Sequence, residues 1–118
     1  MKEVVDGVMY DTEKSELLRS WDNGEYGSLF YIEENLYKTK KGQYFLQCEG
    51  GAGTVYCLPA STGGTKYGER ILPVNEEEAN EFMNGNRDVT EIALMRDGKR
   101  REKLKANKKI WKNGKRIK

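Results

Sequence analysis

A chain of 118 residues, 36% hydrophobic and 34% charged, has room for one domain with a modest core, and seven Tyr, three Phe and two Trp place it outside the composition of a disordered chain. Purely apolar runs such as Leu29 to Ile32 and Ile92 to Met95 reach only four residues against the roughly 20 of a membrane helix. The absence of histidine removes Ser-His-Asp and Cys-His catalysis together with most mixed zinc sites.

The net charge of +2 conceals opposite halves: residues 1–86 hold 8 Lys+Arg against 15 Asp+Glu, a net of −7, and residues 87–118 hold 13 against 4, a net of +9. That split predicts an acidic α+β domain over 1–86 and a basic C-terminal extension over 87–118, suited to an anionic partner or to docking on the chain's own acidic part. The opening MKEVVDGVMYDTEK lacks the apolar stretch of a secretory signal, so the expected compartment is the cytoplasm, with no membrane.

Val4 to Tyr10 reads as a first strand and Leu17 to Trp21 as a second, with Asp11, Thr12 and Lys14 supplying turn chemistry between them. Asp22-Asn23-Gly24 marks a turn, Gly27-Ser28 extends the loop, and the aromatic and β-branched content of Leu29 to Glu34 favours a strand. The stretch around which the rest is organised is Leu36 to Gly53. There Lys40-Lys41-Gly42 forms a three-residue hairpin loop whose glycine takes a positive φ. This register opposes Thr39 to Gln43 and Leu36 to Leu46. It puts Leu36, Tyr44, Leu46 and Cys48 on one face and Tyr37 with Phe45 on the other, so the hairpin belongs inside a sheet.

Strand character returns at Thr54 to Leu58, a loop spans Pro59 to Gly68, and Glu69 to Val74 reads as another strand. Asn75 then opens a helix over 76–84. It caps the first turn, Glu78 stands at the capping-box position, Val74 staples against Ala79, and Gly85 is a natural C′ residue. Asp88 with Glu91 three residues on starts a second helix, carrying Val89, Ile92, Ala93 and Met95 toward Arg96, where Asp97-Gly98 is expected to break it. For the tail three readings stand side by side: a ribbon turning on its Asp-Gly and Asn-Gly pairs, a broken helix over 99–110, and disorder beyond Arg101. The fold class is α+β, an antiparallel twisted sheet of about five strands with a short helix packed on it, plus the basic extension.

Cys48 and Cys57 are too few for a structural zinc site and are not spaced as Cys-x-x-Cys; they read as small residues packing inward, with a disulfide as the alternative. Gly50-Gly51-Ala52-Gly53 leads into a strand pattern instead of a helix, and Gly63-Gly64-Thr65-Lys66 lacks the Walker spacing. Flexible turns or a close backbone crossing explain both. Glu33, Glu34 and Glu49 lie near the hairpin, where carboxylates can act as acid and base; a solvated, charge-protected strand edge is the simpler reading. No cofactor or metal is expected.

The basic segment is the principal functional candidate. Lys99, Arg100, Arg101, Lys103, Lys105, Lys108, Lys109, Lys112, Lys115 and Arg116 are phosphate-neutralising groups, and Trp111 among them can stack on a base. No base-reading motif accompanies them, so contact with nucleic acid would be carried by backbone charge. The alternative is a solvated tail that aids solubility.

Tyr10-Asp11-Thr12, Leu36-Tyr37 with Thr39-Lys40-Lys41-Gly42 and Phe45-Leu46, Glu49-Gly50-Gly51, and Ile71-x-Pro73 before Glu76-Glu77-Glu78-Ala79 resemble a family of small proteins from phages, plasmids and other bacterial mobile elements. Small proteins of that setting often resemble anti-CRISPR inhibitors, which act by binding a nucleoprotein effector. The resemblance implies a non-enzymatic inhibitor in the cytoplasm of a host bacterial cell. Its partner would be a host defence nucleoprotein, met through protein, guide RNA or both. After Gly85 the chain departs from the family pattern, because a lysine-rich tail replaces a less basic ending. A general RNA- or DNA-binding accessory protein and a metal-dependent nuclease are the competing expectations.

Overall fold

A hairpin apolar on both faces needs cover on both sides, and the fold supplies it with helices on one face and a second hairpin on the other. The computed structural model describes residues 1–112 and 115–116, with side chains as far as Leu104. The elements are β1 (Lys2–Val5), β2 (Val8–Asp11), a 3₁₀ turn (Thr12–Lys14), β3 (Glu16–Asp22), β4 (Ile32–Lys38), β5 (Tyr44–Gly50), β6 (Leu58–Pro59), β7 (Thr65–Lys66), β8 (Gly68–Val74), α1 (Glu76–Met83), α2 (Asp88–Ile110), β9 (Trp111–Lys112) and β10 (Lys115–Arg116). Strands β3-β4-β5-β8 form one antiparallel sheet in that order, and β1-β2, β6-β7 and β9-β10 are two-stranded ribbons. The chain is α+β, as its pattern predicts.

The central hairpin has the expected register: Leu36 faces Leu46, Tyr37 faces Phe45, and Gly42 closes the loop at φ 90° while Thr39 N donates to Gln43 O at 2.8 Å. Period-2 alternation then feeds two separate cores. Leu36, Leu46, Cys48, Leu72 and Val74 pack with Ala79 and Phe82 of α1 and Val89 and Ala93 of α2. On the opposite face Phe45 and Ile71 pack with Val5 and Tyr10 of the β1-β2 hairpin, with Tyr10 edge-on to Phe45 at 5.3 Å between ring centroids and Tyr37 stacked on it at 5.2 Å. Helix α1 starts at the predicted capping box: Asn75 Oδ1 accepts from Glu78 N at 2.8 Å and Glu78 Oε1 from Asn75 N at 3.0 Å.

Four expectations are corrected. Val4 to Tyr10 is not one strand but two, because Asp6 and Gly7 at φ 50° and 81° make the two-residue turn that pairs Val5 with Val8. Strand β4 starts at Ile32, while Leu29 and Phe30 remain on the exposed loop before it. Thr54 to Tyr56 is a turn, closed by Thr54 N to Gly51 O (3.0 Å) and Cys57 N to Thr54 O (3.2 Å), and ladder pairing resumes only at Leu58. Asp97-Gly98 does not interrupt α2: Asp97 is buried and accepts from the Arg100 and Arg101 side chains one turn on, which holds the helix together across the glycine. Of the tail readings, the backbone takes a helix to Ile110 and then a ribbon pairing Trp111 with Arg116 and Lys112 with Lys115; Asn113-Gly114 lie outside the described residues. Both cysteines are free thiols, Cys48 buried and Cys57 half-buried.

The glycine run is a close backbone crossing. Gly51 N donates to Tyr31 O and Gly53 N to Leu29 O, each at 2.9 Å, and a Cβ built on Gly51 would stand 2.3 Å from the Leu29 carbonyl oxygen. Gly98, by contrast, sits in helix with open space where its Cβ would go. Gly51→Ala should therefore lower the unfolding free energy by about 2–3 kcal/mol, through backbone displacement, and Gly98→Ala should raise it by about 0.5–1 kcal/mol. Urea denaturation midpoints of the two variants read both signs, and a neutral Gly51→Ala would remove the crossing from the list of constraints.

Candidate binding site: an acidic tyrosine-lined cleft and a lysine-bearing helix

Adjacent residues of a strand point to opposite faces, so Glu33 and Glu34 serve different sites. Glu34 points into the helix-side core, only 1% exposed. Its Oε2 accepts from the Tyr56 hydroxyl at 2.5 Å and its Oε1 from Arg87 Nε at 2.7 Å. The Arg87 guanidinium lies flat over Trp21, 3.2 Å from the ring centroid. Burial and the charge on Glu34 push the Tyr56 hydroxyl and the Cys48 thiol well above their ordinary pKa values, so neither is a nucleophile near neutral pH.

On the other face, Glu33 of β4, Glu49 of β5 and Glu69 of β8 stand side by side in register. The β1-β2 hairpin covers only the far end of this face, around Phe45 and Ile71, and leaves the carboxylate row to its own polar partners. Glu33 accepts from the Tyr31 hydroxyl (2.7 Å) and from Asn35 Nδ2 (3.0 Å); Asn35 also donates to Gln47 (2.8 Å), whose Nε2 donates to Glu69 (3.0 Å). Burial, a hydrogen bond to Glu33 and the charges of Glu33 and Glu69 push Glu49 up to about 7, while that same hydrogen bond, with Tyr31 and Asn35, holds Glu33 below the usual carboxylate range. Below about pH 7 the pair therefore holds one proton, and Glu49 is the carboxyl that carries it. Among the described residues no three of His, Cys, Asp and Glu are placed to hold a metal ion.

Beside this row lies a cleft of about 420 Å³ lined by Tyr26, Leu29, Tyr31, Ala52 and Tyr67 with Gly27, Ser28 and Gly51. It is built by the two loops that the glycine crossing brings together. Tyr26 is 88% exposed yet oriented, its ring edge-on to Tyr31 at 5.4 Å. Burial and the nearby charge of Glu49 raise Tyr67 to about 12, and the hydrogen bond to Glu33, with burial, raises Tyr31. One of the cleft's hydroxyls, that of Tyr31, is thus bonded to the carboxylate row behind it.

The sequence-predicted basic residues divide. Arg100 pairs with Asp97 (3.1 Å) and Glu3 (3.8 Å), and Arg101 with the same two carboxylates (2.9 and 3.1 Å), fastening α2 to β1. Arg87 and Arg96, from the same extension, pair with Glu34 and Glu78. Lys99 and Lys103 are exposed on α2 and make no ion pair among the described residues. Lys105, Lys108 and Lys109 continue α2, and Trp111, Lys112, Lys115 and Arg116 form the ribbon; their side chains lie outside the described residues. The tyrosine cleft and Glu69 were not singled out from the sequence, although the hairpin register already puts Glu33 opposite Glu49.

The shared proton makes stability depend on pH in a definite direction. A carboxyl whose folded pKa lies above its unfolded value contributes stability below about pH 4.5, and that contribution is lost as pH rises to about 7. Glu33, shifted the opposite way, loses its contribution only below about 4.5, so the window between pH 5 and pH 8 isolates Glu49. Unfolding free energy should fall across that window by on the order of 1 kcal/mol, discounted for the pair's solvent access, and Glu49→Gln should flatten the dependence. An NMR midpoint for the Glu49 carboxyl near its ordinary value would overturn the shared proton. Comparison of the chain with protein families, curated proteins and solved structures returned no match.

Proposed function

We propose that this protein is a non-enzymatic binding protein, an inhibitor carried by a phage or mobile element, that captures a host defence nucleoprotein of the CRISPR class and touches its guide RNA through the lysines of α2 and the ribbon after it. The family resemblance supplies the setting. The observation that carries the reading is the division of labour among the cations of the extension. Arg87, Arg96, Arg100 and Arg101 are spent on carboxylates of the same chain and fix the helix to the body, whereas Lys99 and Lys103 are free to meet phosphate. Lys105, Lys108, Lys109, Lys112 and Lys115 extend the lysine series in sequence. Lysine serves phosphate as a mobile point charge, and a row of such charges binds a backbone without reading its sequence.

The logarithm of the affinity for single-stranded RNA should fall linearly with the logarithm of salt, with a slope of about 0.7 per phosphate neutralised. Lys99→Ala with Lys103→Ala should reduce that slope by about 1.4 while leaving the melting temperature unchanged. Capture of the effector from host lysate should weaken after nuclease treatment. Flat salt dependence, or inhibition of the effector that survives glutamate replacement of Lys99, Lys103, Lys105, Lys108 and Lys109, would overturn the lysine contact. RNA and DNA binding without effector capture would assign the chain instead as a general nucleic-acid accessory.

A further inference from the structure

The cleft on the uncovered end of the sheet has a composition that α2 does not explain. Its walls are tyrosine rings and aliphatic carbons, among the described residues no cationic side chain lines it, and the Glu33 carboxylate stands behind Tyr31. A tyrosine that donates its proton to a carboxylate keeps its oxygen lone pairs for an incoming donor, and its ring is made more negative by the charge behind it. Both changes favour a cation against the ring face. Tyr31 stands in this arrangement with Glu33, and Tyr67 adds a second ring to the wall. Tyr26, held edge-on to Tyr31, adds an exposed third ring.

We infer that this cleft receives an arginine side chain of a protein partner, its guanidinium plane laid on the tyrosine rings and its N–H groups directed to the tyrosine oxygens and the carboxylates behind them. Guanidinium suits the site better than ammonium because it is planar, weakly hydrated and stacks on aromatic faces. A protein is the source because the apolar surface runs past the cleft: Leu29 (65% exposed) lines it and Phe30 (58%) follows on the same loop, more apolar surface than a free guanidinium compound would cover. The charge is complementary as well, since residues 1–86 carry a net −7.

The test uses the full chain and three probes followed by NMR on the tyrosine rings: acetyl-Gly-Arg-Gly amide, its citrulline analogue, and acetyl-Leu-Arg-Leu amide. The arginine peptide should bind with a dissociation constant of roughly 1–10 mM and perturb Tyr26, Tyr31 and Tyr67, while the neutral citrulline peptide should bind at least about tenfold more weakly. Leucine flanks should tighten binding several-fold by covering Leu29 and Phe30. Tyr26→Ala, at a site too exposed to affect folding, should weaken the arginine peptide several-fold, and Tyr26→Phe should restore it. Equal binding of arginine and citrulline would overturn the cation, and indifference to the flanks would overturn the protein source. Self-association of the chain that Tyr26→Ala abolishes would give the cleft to a second copy and overturn a foreign partner. None of these arms contains nucleic acid, so their failure is distinguishable from failure of the lysine contact.

Discussion

The interaction on which the arrangement depends is the desolvated carboxylate of Glu34. A charge withdrawn from water costs several kcal/mol unless its lone pairs are met, and removing one partner of such a buried pair typically costs about 3–5 kcal/mol. Glu34 is met from two directions: by Tyr56, in the turn that follows the glycine crossing, and by Arg87, at the junction between α1 and α2. Satisfying one side chain therefore ties together a central strand, the crossing and the start of the long helix. Trp21 of β3 closes the group by stacking on the guanidinium, which draws the edge strand into the same constraint.

From that tie both surfaces follow. Because Tyr56 must turn inward to reach Glu34, the chain after Gly53 cannot continue as a strand along β5, and the loop bends back over residues 29–31 instead. That bend is what opens the tyrosine cleft. Because Arg87 must reach Glu34 from the other side, α2 starts against the sheet with Val89 and Ala93 buried, and its direction carries Arg96 to Glu78 and Arg100 and Arg101 to Glu3. The helix layer and the β1-β2 layer, on opposite faces of the sheet, are thereby joined by ion pairs.

Much of this was legible in the chain because it rests on local chemistry. The Lys40-Lys41-Gly42 loop fixes one register, that register fixes which residues share a face, and Asn75 with Glu78 fixes the start of α1; each needs only neighbours in sequence. The errors arose where a distant partner overrode a local signal. Thr54-Val55-Tyr56 has strand composition, but the tyrosine is drawn to Glu34 22 residues away. Asp97-Gly98 has turn composition, but the aspartate is buried and bonded to Arg100 and Arg101 one turn on, and Arg101 is held in turn by Glu3, 98 residues away, so the helix continues. Asp6-Gly7 is a different case: the turn is local, and the positive φ of both residues closes it inside a stretch that reads as a single strand.

The basic extension carries the most instructive ambiguity, because summed charge treats Arg and Lys alike and the fold does not. The guanidinium is planar, weakly hydrated and forked, and among the described residues it is the group used wherever this helix or the residue before it meets a carboxylate: Arg87 in the core, Arg96 on the capping box of α1, Arg100 and Arg101 on Asp97 and Glu3. The ammonium, compact and strongly hydrated, gains little from a fixed partner and occupies the positions that face solvent, Lys99 and Lys103. Read by residue type, the extension begins with arginines that bind it to its own body and passes, through one turn where both kinds interleave, into a series of lysines. The opposed halves of the net charge are thus partly cancelled within the fold, and among the described residues the cations of the extension left without an ion pair are lysines, Lys99 and Lys103.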